Sequence, residues 1–202
     1  MKLEDMICAV QTSLGVRVDG CAGPETWGAI YAEIVSPKIG NAIPAQAFDR
    51  VDDHSEKCIA TLLPEVRFIA RALVQKAAQN GITIKIVSGL RSYAEQDALY
   101  AKGRTIAGAK VTNAKGGHSN HNFGIAFDIG VFEGNRYRSQ SAKYKAVGVL
   151  GMDLGLEWGG NWTTIRDQPH FQLRPHWARG STQRQMLAQL RRRLSSGDPI
   201  YA

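Results

Sequence analysis

A run of alternating large and small residues near the middle of the chain constrains the fold most strongly. Within residues 124–131, bulky side chains alternate with small ones: Ile125, Phe127, Ile129 and Val131 with Gly124, Ala126, Asp128 and Gly130. A period of two predicts a half-buried β-strand whose bulky face belongs to a core. A face of glycine and alanine around one carboxylate packs poorly. We therefore expect something other than side chains to occupy the space above Asp128.

A histidine precedes this strand in a loop rich in asparagine and glycine. His121 lies an odd number of residues before Asp128, so the two would point to opposite faces of a continuous strand. A bend within residues 122–124 is therefore predicted to bring His121 to the side of Asp128.

A second strand is predicted at residues 169–173. Its alternation places Phe171 and Leu173 on one face and His170 and Gln172 on the other. Proline is tolerated at the first residue of a strand because no ladder hydrogen bond is lost there. Two histidines and one aspartate on open faces make a nitrogen and oxygen set that suits a catalytic zinc, which takes three protein ligands and one water.

We therefore predict one zinc ion bound by His121, Asp128 and His170. Asp167 lies three residues before His170 and off the strand, where it can act as the base that handles the water's proton. Glu157 is the competing carboxylate. It lacks this offset, and it stands at a predicted helix end, where an exposed carboxylate is common.

The combined pattern Ser119-x-His121-x6-Asp128, followed by Asp167-x-x-His170, resembles a known superfamily of enzymes. It is similar to the zinc D-Ala-D-Ala carboxypeptidases and L-alanyl-D-glutamate endopeptidases (peptidase M15), especially to their phage endolysin and bacterial autolysin branch. Each piece alone is a weak signal, but the combined spacing is specific. The resemblance implies zinc as the cofactor and a zinc peptidase fold of the hedgehog and D,D-peptidase type.

Two further segments, residues 88–96 and 158–162, fit the same pattern, which extends over roughly residues 64–173. The superfamily's histidine stands two residues after its serine. The resemblance therefore selects His121 over the neighbouring His118 as the metal ligand.

The resemblance also implies substrate-binding roles for three side chains, Arg91, Gln96 and Ser119. Arg91 would hold the substrate carbonyl oxygen or a carboxylate, and it would stabilise the charge that develops on that oxygen. A guanidinium suits both tasks because its donors form a fixed fork that stays charged. The alternative for Arg91 is a surface ion pair.

The predicted fold is α+β, with a small antiparallel sheet made of residues 82–87, 125–131 and 169–173 and helices packed on its apolar face. Helical periodicity runs from about residue 66 to residue 80, and Ser92 with Glu95 forms a capping box that begins another helix. The order of helices and strands lacks repeated βαβ units, which argues against a doubly wound parallel sheet.

The chain is predicted to have four parts. Residues 1–36 carry the pattern Leu14-Gly15-Val16-x-Val18-Asp19-Gly20-x-Ala22-Gly23-Pro24-x-Thr26-Trp27, which resembles part of a small helical peptidoglycan-binding domain. The alternative is a helical hairpin that packs against the peptidase domain and binds nothing. Residues 37–53 have the composition of a linker, and residues 54–180 form the peptidase domain. Residues 181–202 carry a basic amphipathic helix, which either docks on the domain or attaches to anionic lipid.

A formal net charge of +7 indicates an anionic partner. No nucleic-acid motif accompanies it. The resemblance implies peptidoglycan as the partner, with which the charge agrees, and a contact with anionic outer-membrane lipid is a second option. No segment is long and apolar enough to span a membrane, and no apolar signal core follows Met1. We expect a monomer made in the host cytoplasm that acts on the cell wall after the membrane is permeabilised.

Three functions from different classes fit these observations. The first is a peptidoglycan-degrading zinc endopeptidase that cleaves between L-Ala and D-Glu of the stem peptide. The second is a zinc D,D-carboxypeptidase or dipeptidase acting on D-Ala termini, because the choice of bond depends on pocket-shaping loops such as residues 103–117. The third is a wall-binding module with inactive machinery, which the presence of both Asp167 and Arg91 disfavours.

Overall fold

The computed structural model describes residues 2–23, 26–27, 29–30, 50–163 and 165–201. The chain divides into two compact units, Met1–Gln46 and Ala47–Ala202. The exact limits predicted for the four parts of the chain stay a prediction, and most of the predicted linker lies outside the described residues. None of the helices in the described part is both long and apolar enough to cross a lipid bilayer.

The first unit begins with helix α1, Leu3–Leu14, which ends at Gly15 in the left-handed conformation. Gln11 is its buried residue and organises the turn that follows. The Gln11 amide donates to Asp19 Oδ1 at 2.8 Å and to Thr26 Oγ1 at 2.9 Å, and its oxygen accepts from the backbone N–H of Gly20 at 3.0 Å. Most of the second half of the predicted hairpin lies outside the described residues.

The second unit is built on one antiparallel sheet. Its strands are β1 Thr83–Ser88, β2 Ala126–Glu133, β3 Arg136–Tyr137, β4 Glu157–Trp158 and β5 His170–Gln172. The strand order is β1-β2-β5-β4, and β3 forms a hairpin with the end of β2. The prediction of an α+β fold with a small antiparallel sheet is confirmed.

Five helices accompany the sheet within the described residues: α2 Asp53–Ile59, α3 Pro64–Gln79, α4 Tyr93–Ala101, α5 Lys143–Asp153 and α6 Gln183–Ser196. Helices α2 and α3 contact β1, and α5 contacts both α3 and β4. These contacts bury one apolar core. Its fully buried side chains include Ile69, Leu73, Ile86, Ile129, Tyr144 and Phe171.

A second apolar cluster fixes helix α6. Met186, Leu187 and Leu190 of α6 are buried against Phe123 and Ile125, which lie immediately before β2. The docked arrangement predicted for the basic C-terminal helix is therefore the one observed. Helix α6 therefore packs against the segment that carries His121.

The observed strands differ from the predicted ones in two ways. Strands β1 and β2 begin one residue later than expected, and they extend to Ser88 and Glu133. Strands β3 and β4 were not predicted, because two residues are too few to show a period. The expectation that Glu157 stands at a helix end is wrong: Glu157 lies on strand β4, with its side chain 38% exposed.

Candidate metal centre and active site

The sheet register brings Asp128 and His170 together. Asp128 on β2 pairs with His170 on β5. On its other side Asp128 pairs with Ser88 on β1, after an irregularity between Ile86 and Ser88. Three polar side chains thus stand in a row across three neighbouring strands, although they are far apart along the chain.

A tight turn brings His121 to the same point. Residues Asn120–Phe123 form a 3-10 turn, and Gly124 follows with a φ of 67°, a conformation that strongly favours glycine. The Gly124 carbonyl accepts from the N–H of Leu63 at 3.0 Å, and the His121 carbonyl accepts from the N–H of Arg91 at 3.0 Å. The predicted bend within residues 122–124 is confirmed.

The three predicted ligands converge on one point. His121 Nε2 and His170 Nδ1 each lie 3.2 Å from Asp128 Oδ1, and the two nitrogens lie 3.2 Å apart. Ligand atoms about 2.0–2.1 Å from a tetrahedral ion are about 3.3 Å from one another, so the spacing suits zinc. His121 and His170 are 2% and 5% exposed, which leaves little room for water to solvate these atoms.

Each histidine has one ring nitrogen that faces away from the shared point. The hydrogen bonds of these two outward nitrogens show why the point attracts a cation. His121 Nδ1 lies 2.7 Å from the Gly89 carbonyl oxygen, which can only accept, so Nδ1 carries the proton. His170 Nε2 lies 2.9 Å from Gln172 Oε1 and carries the proton for the same reason. The inward nitrogens then present lone pairs to each other and to a carboxylate. Such a buried set is balanced by a positive ion, so these residues fit zinc.

Electrostatics agree with a site that favours positive charge. Burial opposes ionisation of Asp128, but the charges and hydrogen bonds of His121 and His170 hold its pKa well below the usual range. Burial likewise opposes protonation of His170, but Asp128 and Gln172 raise its pKa overall. The carboxylate therefore stays ionised, as a metal ligand must be.

Arg91 lies against Asp128 on the side away from the histidines. Its Nη2 donates to Asp128 Oδ2 at 2.5 Å and to Ser88 Oγ at 2.9 Å. The Arg91 side chain is 22% exposed and lines the cavity over the sheet. Arg91 thus forms an ion pair, and this pair is partly buried in the cavity. A direct contact between Arg91 and substrate stays a prediction.

The two weaker substrate-binding candidates occupy different positions. Ser119 lies on the cavity wall, next to His118. Gln96 is fully buried behind Arg91, and its amide donates to the Ala114 carbonyl at 2.9 Å. Gln96 therefore shapes the loop that follows α4, and its predicted contact with substrate is not tested by this geometry.

Asp167 lies on the cavity wall close to the ligand set. Burial and the negative charge of Asp128 both raise its pKa, which suits a group that must take up a proton. Gly159 permits this position: the Asp167 N–H donates to the Gly159 carbonyl at 3.0 Å, and a Cβ on Gly159 would lie 2.5 Å from the Asp167 carbonyl oxygen.

The cavity itself crosses the polar face of the sheet and has a volume of about 850 Å³. Every strand of the sheet contributes to its wall: Val87, Asp128, Tyr137, Glu157 and His170. The Trp162 ring lies 4.9 Å from the His170 ring and is 37% exposed. It offers a flat apolar surface beside the ligands, which a peptide backbone or methyl side chain can cover.

Sequence reasoning missed a chain of polar residues behind His170. It consists of Gln172, Asn120, Glu157 and Arg174, joined by hydrogen bonds. The position of Gln172 on the same strand face as His170 was a usable signal. No signal in the sequence placed Glu157 in this chain of hydrogen bonds, because its partners are 15 and 17 residues away along the chain.

The sequence is similar to a family model and to named relatives. A peptidase M15 family model described as D-alanyl-D-alanine carboxypeptidase matches residues 112–173, which contain all three predicted ligands and Asp167. The peptidoglycan L-alanyl-D-glutamate endopeptidase CwlK of Bacillus subtilis is 38% identical over 127 residues, which are 57% of this chain and 75% of CwlK. The L-alanyl-D-glutamate peptidase of Listeria phage A118 is 32% identical over 117 residues, 55% of this chain and 38% of the phage protein.

Two solved structures are also similar. The Serratia marcescens L-Ala D-Glu endopeptidase ChiX superimposes with a TM-score of 0.48 at 23% identity, over 65% of this chain and 95% of ChiX. A zinc complex of the vancomycin resistance D,D-pentapeptidase VanY superimposes with a TM-score of 0.46 at 17% identity, over 64% of this chain and 83% of VanY.

Proposed function

Because this chain belongs to the peptidase M15 family of metallopeptidases, we propose that it hydrolyses the bond between L-alanine and D-glutamate in peptidoglycan stem peptides. The observation that carries the proposal is the convergence of His121, Asp128 and His170 in one cavity with Asp167 on its wall. The 38% sequence identity with CwlK, of whose length this chain covers 75%, supports the choice of the bond between L-alanine and D-glutamate.

His121 Nε2, His170 Nδ1 and a carboxylate oxygen of Asp128 would hold the zinc ion. The bound ion would polarise the scissile carbonyl and would lower the pKa of a water molecule, so that this water could lose a proton and act as the nucleophile. The protein keeps the two histidines in the correct tautomer through the Gly89 carbonyl and Gln172. Arg91 keeps the Asp128 carboxylate turned so that one oxygen faces the histidines.

Asp167 is the residue we assign to proton transfer. Its carboxylate accepts the proton of the attacking water and then delivers it to the amine that leaves. The raised pKa of Asp167 brings it closer to the pKa values of the attacking water and the leaving amine, with which Asp167 exchanges the proton. Arg91 lies on the same cavity wall, where its guanidinium can stabilise the oxygen that becomes negative during the attack.

A second candidate is the release of terminal D-alanine, because the matching family model is described as a D-alanyl-D-alanine carboxypeptidase. Both reactions need the same ligands and base. They differ in what fills the cavity beyond the scissile bond.

Digestion of purified peptidoglycan, followed by mass spectrometry, separates the two. Cleavage between L-Ala and D-Glu frees the stem peptide from the glycan and leaves a new amino group on glutamate. A carboxypeptidase releases free D-alanine and leaves the stem attached. We expect the first set of products from the wild-type chain and none from the His170→Ala variant. Free D-alanine as the only product would overturn the choice of bond.

We also propose that the enzyme reaches peptidoglycan after the inner membrane is permeabilised, as part of a lytic pathway. The similarity to the phage A118 peptidase supports this, although the chain covers only 38% of that protein. Cells that express the chain should keep their turbidity until chloroform is added and then lyse. Intact cells after chloroform, with enzyme that is active on purified peptidoglycan, would contradict the lytic role.

A further inference from the structure

We propose that Glu157 is a positioning residue that keeps the proton on the outward nitrogen of His170, acting through the side-chain amide of Gln172. The inference rests on the metal site of the proposed function, because its consequence is a lone pair on the inward nitrogen of His170. It assigns a role to a carboxylate that neither binds the metal nor takes part in proton transfer.

Glu157 is held by two donors, one on each oxygen. Arg174 Nε donates to Oε1 and Gln172 Nε2 donates to Oε2, both at 2.5 Å. Arg174 is itself anchored, because its Nη1 lies 3.4 Å from the carbonyl oxygens of Ala178 and Ser181. Both oxygens of the Glu157 carboxylate are therefore committed to protein donors.

A carboxylate decides which way the neighbouring amide faces. An ionised carboxylate only accepts hydrogen bonds, so Gln172 must present its NH₂ group to Glu157. The carbonyl oxygen of the same amide then has to point the opposite way. There it lies 2.9 Å from His170 Nε2. An oxygen of this kind only accepts, so His170 Nε2 must carry the proton, and Nδ1 keeps its lone pair for the metal.

The opposite end of the network agrees with this direction. Asn120 Nδ2 also donates to Gln172 Oε1, and Gln183 Nε2 of helix α6 donates to Asn120 Oδ1 at 2.9 Å. Gln172 and Asn120 thus each use the amide oxygen as an acceptor and the amide nitrogen as a donor without conflict. A flipped Gln172 would bring its NH₂ group against that of Asn120.

Burial makes the network necessary. His170 is 5% exposed, Gln172 is 1% exposed and Asn120 is 5% exposed. Water therefore cannot take the place of a misplaced amide, and an unpaired buried donor or acceptor is costly. Without the charge of Glu157, Gln172 could turn over and donate to His170 Nε2. The proton of His170 would then move to Nδ1, where it would block the ligand position.

The first test replaces the carboxylate with an amide of the same shape. Glu157→Gln should bind zinc about 10–100-fold more weakly than the wild type, the usual effect of losing an outer partner of a ligand histidine. Zinc affinity is measured by competition with a chromogenic chelator. In the same protein without zinc, nitrogen-15 shifts of the His170 ring should change from a single Nε2–H tautomer to a mixture.

The second test restores the direction of the hydrogen bonds without restoring the original residue. The double variant Glu157→Gln with Gln172→Glu puts an acceptor-only carboxylate beside His170 and leaves an amide to face Arg174. We expect it to regain the Nε2–H tautomer and most of the zinc affinity. A role limited to balancing the charge of Arg174 would not be rescued, because the group that faces Arg174 is the same in both variants.

Glu133→Gln is the matched control, because it removes a carboxylate from another arginine pair, with Arg138 at 2.8 Å, on the same sheet. It should leave the zinc affinity and the His170 tautomer unchanged. If Glu157→Gln behaves like this control, or if the swap fails to rescue, the inference is wrong. If the wild type itself binds no zinc, the proposed function fails instead, so the two failures are distinguishable.

Discussion

At the residue scale, the two histidines proposed as ligands differ in what their outward nitrogens contact. His121 donates to a backbone carbonyl, that of Gly89, which cannot change its direction. His170 faces the side chain of Gln172, which could turn over and is held by Glu157. The two ligands are thus fixed by different means, and the one held by side chains is the more sensitive to substitution.

His170→Ala should lose both zinc and peptidoglycan cleavage. Two remaining ligands, His121 and Asp128, hold the ion poorly because zinc sites of this kind use three protein ligands. Atomic absorption on the purified variant measures the zinc content. His118→Ala is the control, since His118 is exposed in the same loop and lies outside the ligand set, and it should keep full zinc content. Full zinc content in His170→Ala would show that the ligand is assigned wrongly.

Asp167→Asn should behave differently from the ligand variants. It keeps the shape of the side chain but cannot take up the proton, so turnover should fall by about 10²–10⁴-fold while zinc content and folding persist. Turnover is measured on a soluble stem peptide. Asp153→Asn, at an exposed ion pair with Lys76, should leave the rate unchanged. A rate close to the wild-type value in Asp167→Asn would remove Asp167 from proton transfer.

At the element scale, one buried ion pair joins α2 to α3 beneath the strand that leads to Arg91. Glu56 Oε1 and Oε2 accept from Arg71 at 2.9 and 2.7 Å, and Glu56 is only 7% exposed. The hydrogen bonds from Arg71 outweigh the opposing effect of burial and lower the pKa of Glu56 to about 2. A lowered pKa in the folded chain means that ionised Glu56 stabilises the fold.

The stabilisation by Glu56 should depend on pH. It is fully present above the ordinary glutamate pKa and is lost as the pH falls through about 2, the folded value. Near neutral pH, Glu56→Gln should reduce the free energy of unfolding by about 3 kcal/mol, because it leaves Arg71 without its partner. That difference should shrink at about pH 3.

Urea unfolding at both pH values measures this difference. Glu133→Gln, at an exposed pair with Arg138, should cost less than about 1 kcal/mol at either pH. A Glu56→Gln effect of equal size at both pH values would contradict the assignment of the stabilisation to the ionised pair.

At the scale of the whole molecule, the basic charge is partly committed to internal contacts. Arg191 Nη1 donates to the Gly117 carbonyl at 2.8 Å, and the Arg193 guanidinium lies 4.8 Å from the centre of the Trp177 ring. Both arginines belong to the basic helix α6, for which attachment to anionic lipid was the alternative to docking. A contact with outer-membrane lipid stays a proposal, and these two side chains already have partners within the chain.

Removal of residues 1–36 should weaken binding to peptidoglycan sacculi and leave cleavage of a soluble stem peptide largely intact. A wall-binding unit raises the local concentration of the peptidase at its polymer and does not alter the chemistry. Co-sedimentation with sacculi measures the first effect. Trp27→Ala is the matched point variant, because Trp27 is 59% exposed in this unit and should account for part of the loss. Unchanged sedimentation of both would leave the unit with a purely structural role.

Local patterns in the sequence predicted the strand faces of Asp128 and His170 and the bend before Asp128, and the resemblance to the superfamily selected His121 over His118. The alternation of residues 124–131 assigned Asp128 to an open strand face, and the odd spacing of His121 required the bend that Gly124 supplies. The alternation of side chains in a strand involves only residues that are neighbours along the chain. It can therefore be recognised without knowing which strands pair. The same reasoning located His170 on the open face of its own strand.

Only the tertiary structure decided how those ligands are held. Arg91 and Asp128 are 37 residues apart, and Gln172 is 15 residues from Glu157, so no local period connects them. Strand β4 is too short to carry a pattern of its own, and its pairing with β5 depends on the whole sheet. The candidate ligands could therefore be predicted, because the chain close to each of them determines its position. Their hydrogen-bond partners could not, because those partners lie on strands that meet only after folding.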